Sequence, residues 1–267
     1  GQRNRLLSGR SARTAVDVTP PPVARGATRL WLVRHAAPLV APGTCYGALD
    51  IAADAAATHA AATRLAAALP AAPQVFCSTL QRCEQLALDL QALRPDLAIK
   101  LDPRLREMDF GAWEGQRWND IAKSDIDAWT AAFATHAPGG GESLGAMLAR
   151  VSAALRSAKQ GATENAACCP ADLNDLNDLN DLNDLNGLNG LNGLNDLKGL
   201  KGLNGTIGPD AAKGPNGAVN EVVWITHAGV ARCVHWLQQH GDTVLPRADG
   251  WPQAAPGWGE WEVRTLV

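Results

Sequence analysis

The chain has 267 residues, 46% hydrophobic and 19% charged, with a formal net charge of −3. That is enough apolar material for a sizeable buried core, and too little charge for any long-range pull on nucleic acid or on an anionic substrate. No run of about 18 apolar residues could span a bilayer. The six cysteines show neither a CxxC pair nor a Cys/His spacing suited to zinc, which points to a reducing, cytoplasmic setting without a structural metal.

Residues 1–28 are rich in Arg, Ser and Thr, contain Pro20-Pro21-Pro22 and follow neither apolar period, so they read as a disordered basic tail. Leu30 to Val33 then reads as a short buried strand, with Arg34 and His35 directly where it stops. In open α/β sheets ligands bind beyond the carboxyl ends of the strands, so this pair stands where an anion could be handled. Pro38 to Asp50 is a Gly/Pro loop expected over those strand ends. An Ala-rich helix follows, capped by Asp54 and stopped by Pro70. Gln74 to Cys77 is a second strand. Ser78 and Gln81 have the spacing of a capping box for a helix from Thr79 to Leu93. That helix would carry Arg82 on its first turn, where free N–H groups and the dipole favour an anion.

Ala98 to Leu101 is a third strand, and Pro103 to Gly115 a loop containing Glu107-Met108-Asp109-Phe110-Gly111-Ala112-Trp113-Glu114-Gly115. Helices are expected over Asp125 to Thr135 and Ser143 to Lys159. Residues 172–204 repeat Asp/Gly-Leu-Asn/Lys triplets. Leucine every third residue builds no lasting helical face and Asn, Asp and Gly form helices poorly, so 171–217 read as a low-complexity insertion. Glu221 to Thr226 is a strand ending at His227, with a helix from Gly229 to Gln239, and Trp258 to Val263 an edge strand. Trp251, Trp258 and Trp261 read as a cover for the sheet.

A phosphomonoester carries close to two negative charges, which repel a nucleophile until they are neutralised. Arg34 and Arg82 can each give two N–H donors to its oxygens, and His227, if protonated, adds a third positive group. That leaves His35 as the nucleophile, able to form a phosphoramidate without a metal or other cofactor.

The ordered set of Arg34-His35, Arg82 four residues past Ser78, the Glu107 motif and His227-Ala228-Gly229 resembles the histidine phosphatase superfamily, also called phosphoglycerate mutase-like, over roughly residues 29–160 and 219–265. The resemblance implies an α/β fold, a three-layer α/β/α sandwich with a mostly parallel central sheet. It implies phosphorylation of His35, a phosphoryl group held by Arg34, Arg82 and His227, and Glu107 as general acid; should Glu107 fail in that role, Asp109 and Glu114 are the next candidates in the same motif. The expected partner is a small phosphorylated metabolite, not nucleic acid or a membrane, and the oligomeric state stays open. Ala36 stands where members commonly have Gly, and Gln85-Leu86 where a Thr is usual. Cys45 to Asp50 and the Glu107 motif look closest to the alpha-ribazole phosphatase branch, which implies alpha-ribazole 5'-phosphate as substrate. Two alternatives are weighed. Phosphoglycerate mutase-type transfer is disfavoured, because only Glu107 to Glu142 is available for the long insertion of mutases. A degenerate phosphate-binding protein, its triplet tract mediating association, is disfavoured by the intact five-residue set.

Overall fold

The computed structural model describes residues 27–160 and 219–266. The expectations for the basic tail and for the insertion 171–217 therefore fall outside the described residues, except that Thr28 already belongs to the first strand. Strands β1 (Thr28–Arg34), β2 (Gln74–Cys77), β3 (Ile99–Leu101), β4 (Asn220–Thr226) and β5 (Trp261–Leu266) form one sheet in the order β3-β2-β4-β1-β5. The first four are parallel, and β5 runs antiparallel to β1.

Burial explains the near-continuous apolar runs of β1 and β4, because a parallel sheet is covered on both faces. With the strand period of two, Leu30, Leu32, Val222 and Trp224 face α4 (Leu144–Gln160) and α5 (Ala228–His240). Trp31, Val33, Val223 and Ile225 face α1 (Ala55–Ala68) and α2 (Gln81–Leu93). The architecture is thus the expected α/β/α sandwich. Helix α3 (Lys123–Ala131) lies outside these layers beside a small third cluster of Cys45, Trp113 and Ile121, to which its Ile126 and Trp129 are packed. No helix among the described residues is long and apolar enough to cross a membrane.

Local signals are mostly obeyed. The Asp54 side chain accepts the Ala57 N–H at 2.8 Å and starts α1. The capping box at Ser78 does not form. Helix α2 starts at Gln81, because the Ser78 hydroxyl is engaged across the sheet by His227 Nε2 at 2.8 Å. Asp50 takes over the capping, its Oδ1 accepting the Gln81 N–H at 2.8 Å, and so fastens the Pro38 to Asp50 loop to the helix. The edge strand is also displaced, to Trp261–Leu266, because Gly259 turns the chain at φ +70° while donating its N–H to the carbonyls of Arg34 and His35. A residue with a Cβ adopts that conformation only with strain.

Candidate active site

Register places the two histidines. Arg34 of β1 pairs with Thr226 of β4, so His35 and His227 leave adjacent parallel strands side by side. The His35 N–H donates to the Thr226 carbonyl at 3.1 Å, and the ring centroids are 5.1 Å apart. On the far side of β4, β2 ends at Cys77 and Ser78 follows it. The first turn of α2 then carries Arg82, whose side chain is fully buried. Its guanidinium donates to the carbonyls of Leu49 at 2.9 Å and Gly47 at 2.6 Å. Arg34, His35, Arg82 and Glu107 line one cavity of about 470 Å³, with His227 buried against His35. The structure therefore gathers all five sequence-predicted residues.

Protonation can be read from neighbours. His35 Nδ1 lies 2.7 Å from the Ala36 carbonyl, which can only accept, so Nδ1 carries the proton and the Nε2 lone pair is free. Burial first, then the charges of Arg82 and Arg34, push its pKa down to about 3, against the raising effect of the Ala36 bond. It is a neutral imidazole at neutral pH. Burial, followed by His35 and the cations Arg82, Arg150 and Arg34, also drives the His227 pKa well below its ordinary value. Burial and the neighbouring cations thus favour the neutral ring of His227 over the protonated one that a third positive group requires, and the charge resides on Arg34 and Arg82.

Both guanidiniums are braced rather than neutralised. Arg34 donates to the Pro256 carbonyl at 3.1 Å and lies 5.4 Å from the Trp258 ring centroid, while Arg82 lies 5.6 Å from that of Tyr46. The Nε of each is buried with no hydrogen-bond partner among the described residues. Unmatched buried donors cost free energy, and two cationic ones beside one cavity suit an oxyanion.

Glu107 is fixed from three sides. Its Oε1 accepts the Met108 N–H at 3.0 Å and its Oε2 the Gly229 N–H at 2.9 Å, in the first turn of α5. A Cβ on Gly229 would stand 2.0 Å from Oε1, so the glycine is what admits the carboxylate. Behind it Arg150, paired with Glu142, donates to the carbonyls of Arg104 (2.8 Å), Arg106 (2.7 Å) and Glu107 (3.3 Å). The reserve acids are occupied elsewhere. Glu114 accepts the N–H groups of Gly47, Ala48, Leu49 and Phe110, at 2.8, 2.9, 3.1 and 2.9 Å, and Asp109 accepts that of Gly111 at 2.7 Å. Neither lines the cavity.

Sequence reasoning missed Glu114 as the organiser of the Pro38 to Asp50 loop, Ser78 as the partner of His227, and Tyr46 under Arg82. A signal existed for Glu114: a Gly/Pro loop without secondary structure leaves N–H groups that something must satisfy. Of the three tryptophans expected over the sheet, Trp251 packs against the core cluster of Leu30, Leu32, Val222 and Trp224 and Trp261 against that of the other face, while Trp258 lies elsewhere, over Arg34. Trp251 also lines the cavity. Phe110, Trp118, Trp129 and Phe133 complete an aromatic wall, and Arg232 also lines the cavity.

Paired arginines around a neutral histidine at the carboxyl ends of parallel strands define an enzyme that handles phosphoryl groups. The profile of the histidine phosphatase superfamily (branch 1) matches residues 30–169, just over half of the chain, and the chain belongs to that superfamily as a phosphatase. Among solved structures it is similar to mycobacterial glucosyl-3-phosphoglycerate phosphatase, with 23% identity, 89% of each chain covered and a TM-score of 0.56. It is similar to a mycobacterial protein described as hydrolase 1, with 21% identity, 90% of this chain and 91% of that one covered and a TM-score of 0.57. It also resembles a single-residue variant of TTHB049 from Thermus thermophilus, with 26% identity, 90% and 98% covered and a TM-score of 0.50. The first two likenesses are of fold. No curated protein matches the chain.

Proposed function

We propose that the enzyme is a metal-independent phosphomonoesterase of the cytoplasm that acts on a small phosphorylated metabolite through a phosphohistidine at His35. The observation that carries this is the Nδ1–H of His35 directed to the Ala36 carbonyl, which leaves a neutral Nε2 beside two arginines. Nε2 attacks phosphorus, the ester P–O bond breaks, and protonated Glu107 gives its proton to the leaving oxygen. Glu107 then takes a proton from water as its oxygen attacks phosphorus and the P–N bond breaks, releasing phosphate and restoring His35. Arg34 and Arg82 offset the charge on the non-bridging oxygens, and neutral His227 donates a hydrogen bond.

Within this reading alpha-ribazole 5'-phosphate is the substrate we favour. Its support is the resemblance over Cys45 to Asp50 and Glu107 to Gly115, together with an aromatic wall suited to a flat base. Mutase-type transfer is the second reading, against which stands the short stretch from Glu107 to Glu142.

Rapid quenching into alkali during turnover is expected to trap an acid-labile phosphoryl group on His35, absent in His35→Ala. Turnover without that adduct would overturn the covalent mechanism. For Glu107, single-turnover phosphorylation of His35 by an alkyl phosphate should fall about 10²–10⁴-fold in Glu107→Gln, and much less with p-nitrophenyl phosphate, whose leaving group needs no proton. Equal losses would remove Glu107 from the acid role.

A further inference from the structure

The cavity continues beyond the phosphate-binding groups into a chamber walled by Phe110, Trp118, Trp129, Phe133 and Trp251. These rings support one another. Trp129 meets Phe110 nearly edge-on at 6.0 Å between centroids, leans on Phe133 at 5.5 Å and runs almost parallel to Trp118, 14° apart in plane at 6.4 Å. One atom in the wall is anomalous. The Trp129 Nε1–H is shielded from solvent and finds no hydrogen-bond partner among the described residues. Indole nitrogen is a donor only, and a buried tryptophan usually finds an acceptor for it. Trp118, which faces this ring, sits on a short 3₁₀ turn with no buried residue and is 36% exposed, so it is the neighbour that can give way.

Resting on the phosphatase reading above, we infer that Trp129 is a specificity-determining residue: the chamber holds a planar heteroaromatic ring in the alcohol part of the ester, and the Trp129 N–H bonds an unprotonated ring nitrogen. The occupant follows from continuity, because the chamber is part of the cavity that binds the phosphoryl group and so adjoins whatever is attached to it. Apolar rings alone would accept any flat group. The unmatched donor favours one that brings an acceptor, since a ring lacking it leaves the N–H orphaned in the complex.

Three esters with the same ribose 5'-oxygen as leaving group separate the contributions. The benzimidazole riboside 5'-phosphate has ring and acceptor, the indole riboside 5'-phosphate has the same shape with C–H in place of that nitrogen, and ribose 5-phosphate has no ring. The parent enzyme is expected to prefer the benzimidazole over the indole ester about tenfold in kcat/KM, and either over ribose 5-phosphate by a further factor of about ten or more. Trp129→Phe should bring the benzimidazole to indole ratio close to one. Trp129→Leu should also shrink the preference for both ring esters over ribose 5-phosphate. If the parent enzyme phosphorylates His35 with all three esters but does not distinguish benzimidazole from indole, or if that ratio survives Trp129→Phe, the inference is overturned while the phosphatase reading stands. Failure of every ester to label His35 would instead bring down the phosphatase reading, and this inference with it.

Discussion

Replacing Gly229 by alanine tests the position of Glu107 without touching its chemistry. The new Cβ would lie 2.0 Å from Oε1, 2.9 Å from Cδ and 3.1 Å from Oε2, where ordinary contact begins at 3.4 Å. The carboxylate must therefore retreat by about 1.4 Å, because the Cβ is fixed to a helix backbone that cannot yield as a flexible side chain does. That movement breaks the 2.9 Å bond from the Gly229 N–H. A displacement of about 1 Å can cost about 10²-fold in rate, so His35 phosphorylation by an alkyl phosphate is expected to fall about 100-fold, with a much smaller loss for p-nitrophenyl phosphate. Stability should not follow, since alanine is favoured over glycine within a helix by up to about 1 kcal/mol. Single-turnover rates and urea unfolding on the same preparation separate the two effects. A Gly229→Ala enzyme that keeps its alkyl phosphate rate within about threefold, or loses equally on both esters, would refute the argument that this glycine exists to admit the acid.

Glu114→Ala strips one acceptor from four backbone N–H groups, and a loss of about 2–4 kcal/mol is expected as a lower urea midpoint; an unchanged midpoint would deny Glu114 its organising role. His35 has a folded pKa of about 3 and that of His227 is also depressed, so the unfolded chain binds protons first. Stability should be full above about pH 6.5 and decline as pH falls toward 3, by up to about 1.4 kcal/mol per pH unit for each ring, and His35→Gln should lower the slope of urea-derived stability by one ring's share. With Arg34 and Arg82 supplying the charge, dialysis against EDTA should leave kcat/KM unchanged; loss of turnover restored by a divalent ion would show the pocket misread. Replacing 171–217 by a short Gly/Ser linker should keep kcat/KM within about threefold, because each doubling of loop length costs only about 0.6 kcal/mol. A deletion variant that folds yet is inactive would assign the tract a role.

What could be read in advance depended on the range of the interaction. β2 was legible because its apolar run and flanking turn residues are adjacent in sequence, and the five site residues because each follows a recognisable strand or motif. The start of α2 was not, since its cap, Asp50, lies 31 residues upstream. Ser78 carried the expected capping signature, but His227, 149 residues away, claimed its hydroxyl. The charge of His227 was likewise illegible, because it depends on burial and on cations brought from β1, α2 and α4. Gln85, which departs from the usual Thr, acquires a purpose only in three dimensions, where its side-chain oxygen accepts the Ala53 N–H at 2.7 Å.

The strand order has a consequence for how the chain is made. β4 is next to last in sequence but occupies the middle of the sheet, with β2 on one side and β1 on the other. During synthesis β1 and β2 therefore lack a common neighbour until Asn220–Thr226 has emerged, and the early strands expose edges that only a late segment can fill. His227 and Gly229 arrive with that segment. The joining of β1 to β2 through β4 and the completion of the site thus depend on one segment, and a polypeptide ending before Asn220 holds Arg34, His35, Arg82 and Glu107 but neither the ring that backs His35 nor the N–H that fixes Glu107. A site begun in the first half of the chain is thus finished by its last fifth.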